Sequence, residues 1–123
     1  MHKDKRKIKG FGTNFHSIYK KSPEIYDIFS SAEDTDHILI KEILKIQKNN
    51  SYKSLLDIAC GTGVFLRKLN KSKKLKQLYG LDLNKPLLDY ARNQLPNSIT
   101  LLLANAENIP LLDNTVDFCM TTW

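Results

Sequence analysis

This chain is poor in the residues that build disulfide scaffolds and metal sites. Its two cysteines, Cys60 and Cys119, lie far apart, and neither has a second Cys or His within a few positions. That excludes a secreted disulfide framework and the usual zinc spacings. His2, His16 and His37 follow no partner pattern, so none reads as a catalytic base or metal ligand. No apolar run approaches the roughly 18 residues of a membrane span. The N-terminus is charged with no apolar segment behind it, which is not the pattern of a signal peptide. The cytoplasm is the expected compartment, and no membrane partner is expected. Acids are outnumbered by Lys and Arg, 13 to 19, leaving a net charge of +6. Much of that charge sits in Lys3–Lys9 and in Lys68, Lys71, Lys73, Lys74 and Lys76. Neither cluster interleaves aromatic side chains, so nucleic acid is only weakly supported as a partner. What is present is ordinary for a globular chain, with 41% hydrophobic and 26% charged residues. A single domain with a modest core is expected.

Residues 1–21 show no sustained period and read as a basic, irregular arm, with residues 22–123 forming the domain. Ser22-Pro23-Glu24 has the chemistry of a helix start: a capping hydroxyl, a proline in the first turn and an acid at the positive end. Ile25, Ile28 and Phe29 share one face of that short helix. A second helix is expected over Ile38–Gln47, with Ile38, Leu39, Glu42, Ile43 and Ile46 at helical spacing. Four apolar strands follow, about Lys53–Ala59, Leu78–Leu83, Ile99–Leu103 and Val116–Thr121. Helices over Val64–Asn70 and after Asn84 separate the first three. The second of these carries Leu87, Leu88, Ala91 and Leu95 on its inner face. The strands are continuously apolar, as parallel strands covered on both faces are. Right-handed crossovers then give a Rossmann-like, doubly wound α/β sheet. Cys60 and Cys119 read as packing residues. Glu107, Asp113 and Asp117 read as turn and strand-start residues.

The stretch Leu55–Phe65, L-L-D-I-A-C-G-T-G-V-F, organises the chain. A buried strand carrying one carboxylate, Asp57, runs into Gly61 and Gly63, and an apolar helix follows. That geometry brings a ligand against backbone at a strand's carboxyl end. A phosphate-cradling P-loop requires Lys and Ser or Thr after the second glycine, but Val64 and Phe65 stand there. A dinucleotide fingerprint requires a third Gly or an Ala where Leu66 stands. A nicotinamide-dependent oxidoreductase is therefore disfavoured. S-adenosylmethionine has no phosphates and fits better. Asp82 ends the second strand nineteen residues after Gly63. There an acceptor-only carboxylate can pair with two ribose hydroxyls.

Three motifs in order carry a resemblance. L-D-I-A-C-G-T-G looks like the glycine motif of the class I S-adenosylmethionine-dependent methyltransferases, with Ala59 in the first glycine position. G-L-D-L-N at Gly80–Asn84 is similar to their acidic ribose motif. Ala104–Phe118 is similar to the segment that closes over adenine and enters strand four. The resemblance runs from about Tyr26 to the last residue. It implies that Asp57 orients the methionine amine, and that Ala59, Gly61 and Gly63 present backbone to methionine and ribose. It further implies that Asp82 binds the ribose and that Leu83 packs on adenine. Asn105 stands where an Asp is usual and can still accept from the adenine amino group; the alternative is that it only shapes a turn. Ala106 would offer its amide to the adenine ring. Thr121 and Thr122 would lie beside the methionine moiety, and Tyr19 or Tyr26 would lid the site.

The chemistry implied is methyl transfer, with no base named because an activated methyl donor mainly needs alignment. The acceptor is expected to be a small molecule, with the basic arm leaving RNA or protein open. The family's sheet has about seven strands in an order beginning 3-2-1-4, of which this chain supplies four. The chain therefore reads as the cofactor half, expected to bind the donor weakly by itself. The alternative is a non-catalytic accessory module that pairs with a partner through a long, exposed fourth strand.

Overall fold

The computed structural model describes residues 22–31 and 35–121. The basic arm with Tyr19, His2, His16, Phe11 and Phe15 lies outside the described residues, as do Thr122 and the side chain of Phe29. Two helices come first, α1 over Pro23–Ser31 and α2 over Thr35–Asn50. Strand β1 is Ser54–Ile58, α3 is Val64–Ser72, β2 is Gln77–Asp82, α4 is Lys85–Gln94, β3 is Thr100–Leu103 and β4 is Phe118–Met120. All strand pairs are parallel and their order is β3-β2-β1-β4, as the sequence led one to expect.

Each element has a local cause. Asn84 caps α4, its side-chain oxygen accepting from the Leu87 amide at 3.3 Å. Helix α3 ends on Lys73 in the left-handed region at φ 54°. Side chains alternate along a strand, and parallel partners in register point to the same side. Leu55 and Leu78 are such partners, and they join Ile43, Leu66, Leu69, Leu88, Ala91 and Leu95 in one buried cluster. Helices α2, α3 and α4 therefore share one face of the sheet. The connection 104–117 returns past β1 to β4. A right-handed crossover carries it over the opposite face.

Several expectations fail in instructive ways. Ala59 is not part of the buried strand: it is exposed, in a turn, with φ 61°. Strand β3 is only half covered, and Thr100 and Leu103 are exposed. The long fourth strand shrinks to three residues, and Cys119 is exposed rather than in the core. Leu56, its register partner on β1, is buried on the same face of the sheet, so the exposure comes from Cys119 lying on the edge strand β4. The extended apolar edge needed for strand-to-strand docking is therefore absent among the described residues. Helix α2 also turns a different stripe inward. Ile40, Ile43 and Leu44 meet the core, while Ile38, Leu39 and Ile46 are exposed. Two apolar stripes overlap on this helix, so periodicity alone does not choose between them. On α1, Ile25 and Ile28 are exposed too.

Candidate functional site

Parallel strands bring the carboxyl ends of β1, β2, β3 and β4 to one edge of the sheet. The switch point lies there, because the chain leaves β1 toward β2 on one side and β4 pairs on the other. The turn after β1 alternates in handedness. Ala59, Gly61 and Gly63 have φ of 61°, 57° and 80°. The two glycines do different jobs. A Cβ on Gly61 would come within 3.0 Å of Tyr26 Cε1 and 3.2 Å of its Oη, so the tyrosine ring lies directly on the turn. A Cβ on Gly63 would come within 2.7 Å of Leu95 Cδ1. Gly63 thus lets α4 pack against the turn.

Leu66 stands where a dinucleotide turn carries Gly or Ala so that the helix can approach the sheet closely. It is nevertheless completely buried. The space comes from Gly80 on β2, where a Cβ would lie 2.6 Å from Leu66 Cδ1. The small residue that other turns place on the helix sits here on the neighbouring strand.

Asp82 ties β2 to the turn. Its Oδ2 accepts from the Gly61 amide at 2.7 Å, and its Oδ1 accepts from the Asn84 amide at 2.8 Å. Each carboxylate oxygen has a second lone pair, so both can still accept from a ligand's hydroxyls. Exposed Leu83 and Leu103 flank Asp82 with apolar surface. Leu103 was not singled out from the sequence, because as part of a uniformly apolar strand it looked like core.

Asp57 is the most unusual group. It is 2% exposed, and its Oδ1 has no hydrogen-bond partner among the described residues. Its register neighbours on β2 and β4 are Gly80 and Met120, neither of which offers a side-chain donor. Burial, with the Asp82 charge adding to it, raises the Asp57 carboxyl from 3.8 to about 7. A buried acceptor without a donor is expensive to keep. It marks a place where a cationic or hydrogen-bonding ligand group fits. Cys60 beside it is held as the thiol, its pKa pushed far above the usual thiol range by burial and then by the charges of Asp57 and Asp82. It is a packing residue and not a nucleophile.

The remaining expected positions divide. Asn105 Oδ1 accepts from the Glu107 amide at 3.0 Å, so the side chain does shape its own turn. Ala106 and Thr121 are exposed in the loop and just after β4. Asp117 is structural, as expected, accepting from the Lys53 and Ser54 amides at 2.6 and 3.0 Å. No cluster of metal-ligating side chains occurs among the described residues, and none of their helices is long and apolar enough to cross a membrane.

Sequence reasoning missed one group entirely. Thr62, fully buried, donates its hydroxyl to Asp27 Oδ1 at 2.7 Å. Arg67 Nη2 donates to both oxygens of the same carboxylate at 3.0 Å. Asp27 is on α1, so its pairing with Thr62 and Arg67 is tertiary and leaves no local pattern.

Comparison with known proteins agrees with this geometry. The family described as "Methyltransferase domain" matches residues 56–123. A ubiquinone/menaquinone biosynthesis C-methyltransferase from Wigglesworthia glossinidia brevipalpis is 30% identical, the match covering 94% of this chain and 53% of that protein. A malonyl-[acyl-carrier protein] O-methyltransferase from Yersinia pestis is 32% identical over 85% of this chain and 37% of its own length. Among solved structures, the fold resembles CalS10, an amino pentose methyltransferase from Micromonospora echinaspora solved with S-adenosylmethionine bound. The TM-score is 0.65 and the identity 22%, covering 81% of this chain and 42% of that one. The chain thus spans about half or less of the length of these relatives.

Proposed function

This chain belongs to the class I S-adenosylmethionine-dependent methyltransferases, and from that premise we propose that the carboxyl edge of its sheet holds the methyl donor. The family uses S-adenosylmethionine as its cofactor. The observation that carries the assignment of residues is the unpartnered, buried Asp57 oxygen beside the left-handed turn. A carboxylate there suits the ammonium of the methionine end. Asp82 retains lone pairs for the two ribose hydroxyls while it holds Gly61 in place. Leu83 and Leu103 offer an apolar platform to adenine, and Asn105 and Ala106 border it. Ala59 presents exposed backbone to the ligand, Gly61 brings the turn under Tyr26, and Thr121 stands at the end of β4.

When bound, the sulfonium supplies an already activated methyl group. The contribution of these residues is to fix the donor at both ends and so align it. Asp57 orients the amine, Asp82 fixes the ribose, and Tyr26 excludes water from the turn. No residue is assigned as a general base. The acceptor we propose is a small molecule, in keeping with the quinone-biosynthesis and amino-sugar methyltransferases that the chain resembles.

Titration calorimetry with S-adenosylhomocysteine tests the assignment. Asp82→Ala is expected to weaken binding at least roughly 100-fold, losing two ribose hydrogen bonds to a charged acceptor. Binding unchanged in that variant would overturn the site. A labelled-methyl transfer screen with the full-length gene product tests the acceptor class.

A further inference from the structure

Helix α1 is attached to the site in an unusual way. Its residues Ile25 and Ile28 are exposed, at 43% and 65%, so these two side chains do not glue it down. One hold on the turn is polar. The Asp27 side chain is only 13% exposed and sits against Arg67 at 25%. Thr62, wedged between the two left-handed glycines, is completely buried and gives its hydroxyl to the same carboxylate. Arg67 stands one turn into α3, its amide bonded to the Gly63 carbonyl at 2.8 Å, so this half of the contact belongs to the rigid turn and helix. The other half belongs to α1. The residue next to Asp27 is Tyr26, whose ring covers Gly61.

We propose that Asp27 is a positioning residue: through Thr62 and Arg67 it latches α1 onto the glycine turn, and so holds Tyr26 closed over the donor. This rests on the donor-binding reading above. Three hydrogen bonds to one carboxylate hold the flap, and all three break together when it lifts. A polar latch of this kind opens more readily than a buried apolar contact, because water satisfies the freed groups on both sides. Exchange of the donor for its demethylated product must pass Tyr26. The latch therefore governs how long the ligand stays, more than how fast it arrives.

Asp27→Ala, Asp27→Asn and Thr62→Ser variants of the whole chain test this with two readouts. The first is hydrogen exchange of the ligand-free protein. The α1 amides are expected to exchange about ten times faster in Asp27→Ala, with β1 and β2 unchanged, while Thr62→Ser, which keeps the hydroxyl, stays near wild type. The second is the dissociation rate of S-adenosylhomocysteine. It is expected to rise about tenfold in Asp27→Ala with little change in association rate. Asp27→Asn keeps the shape but loses the charge, and should fall between; it also serves if the alanine variant does not fold. Unchanged α1 exchange would overturn the latch. Faster α1 exchange with an unchanged dissociation rate would overturn its role as gate. If wild type itself binds no S-adenosylhomocysteine, or Asp82→Ala binds as wild type does, the donor-binding reading fails instead, and the exchange data alone still decide whether Asp27 holds α1.

Discussion

Two aspartates on one sheet have opposite surroundings. Asp117, at the start of β4, accepts from two backbone amides, and its own amide bonds to Ser54 Oγ at 2.9 Å. Those bonds favour the charged form and hold its carboxyl below the usual range. Nearby, Tyr52 and Phe118 stack with ring centroids 5.2 Å apart. Asp57, near the other end of β1, is buried with an oxygen unpaired and is raised to about 7. The amino end of the sheet is bolted. The carboxyl end keeps an unsatisfied carboxylate, a left-handed alanine and exposed leucines. Natural proteins retain such local costs where a ligand offsets them.

The sharpest way to break the contrast is Asp57→Asn. The folded pKa of Asp57 lies above its unfolded value, so the native state binds the extra proton between pH 3.8 and about 7. Stability is then lost as pH rises through that window, the reverse of the usual carboxylate. The full penalty, about 4 kcal/mol, is present above pH 7 and absent below pH 4. The neutral amide escapes most of it. Chemical denaturation of the ligand-free chain is expected to find the variant more stable than wild type at pH 8 and equal to it near pH 4. Equal stability at both would remove the buried-charge interpretation.

Gly63→Ala should have the next largest effect. It places a methyl 2.7 Å from Leu95 Cδ1 at a φ of 80°. Overpacking plus left-handed strain should cost roughly 2–4 kcal/mol by denaturant titration. A cost below about half of the lower value would mean that α4 can shift away, and that the turn is less tightly built than described.

Asp117→Ala sharpens the comparison from the other side. It is expected to lower the melting temperature by roughly a few degrees at pH 7, with the difference shrinking as pH falls and the wild-type carboxyl takes up its proton. Donor binding should stay within about twofold of wild type, since no bond from this end reaches the turn. A large loss of binding would merge the two ends into one functional unit.

The smallest expected effect is from Ala59→Gly. Relief of roughly 1 kcal/mol of left-handed strain is offset by the greater chain entropy of glycine, leaving a gain of at most about 1 kcal/mol. A destabilised variant would show that the Ala59 methyl packs against something.

Much of the fold was legible because its signals are local. Uniformly apolar strands, the capping Asn84 and the Gly61-x-Gly63 turn each act within a few residues and mark a parallel α/β sheet, while the order 3-2-1-4 came from the resemblance to the methyltransferases. Asp57 and Asp82 were legible as well, because a carboxylate in or ending an apolar strand stands out. The illegible part is tertiary. Which stripe of α2 faces inward depends on what it meets, and the sequence of the helix permits two. The exposure of Cys119 depends on what covers the edge strand β4. Gly80 gives way to Leu66 from a neighbouring strand, and Asp27 reaches Thr62 and Arg67 across a contact that no short motif encodes.

The most direct measurement is calorimetry of S-adenosylmethionine binding between pH 5.5 and 7.5, in buffers of differing ionisation enthalpy, for wild type and Asp57→Asn. Over that range the ligand's amine stays mostly charged. If Asp57 receives it, binding must displace the Asp57 proton. Wild-type affinity should then rise with pH by up to about tenfold per unit, with up to one proton released per ligand, and the slope should vanish in Asp57→Asn. A wild-type affinity that is flat across this range, with no proton released, would contradict the assignment of Asp57 to the methionine end.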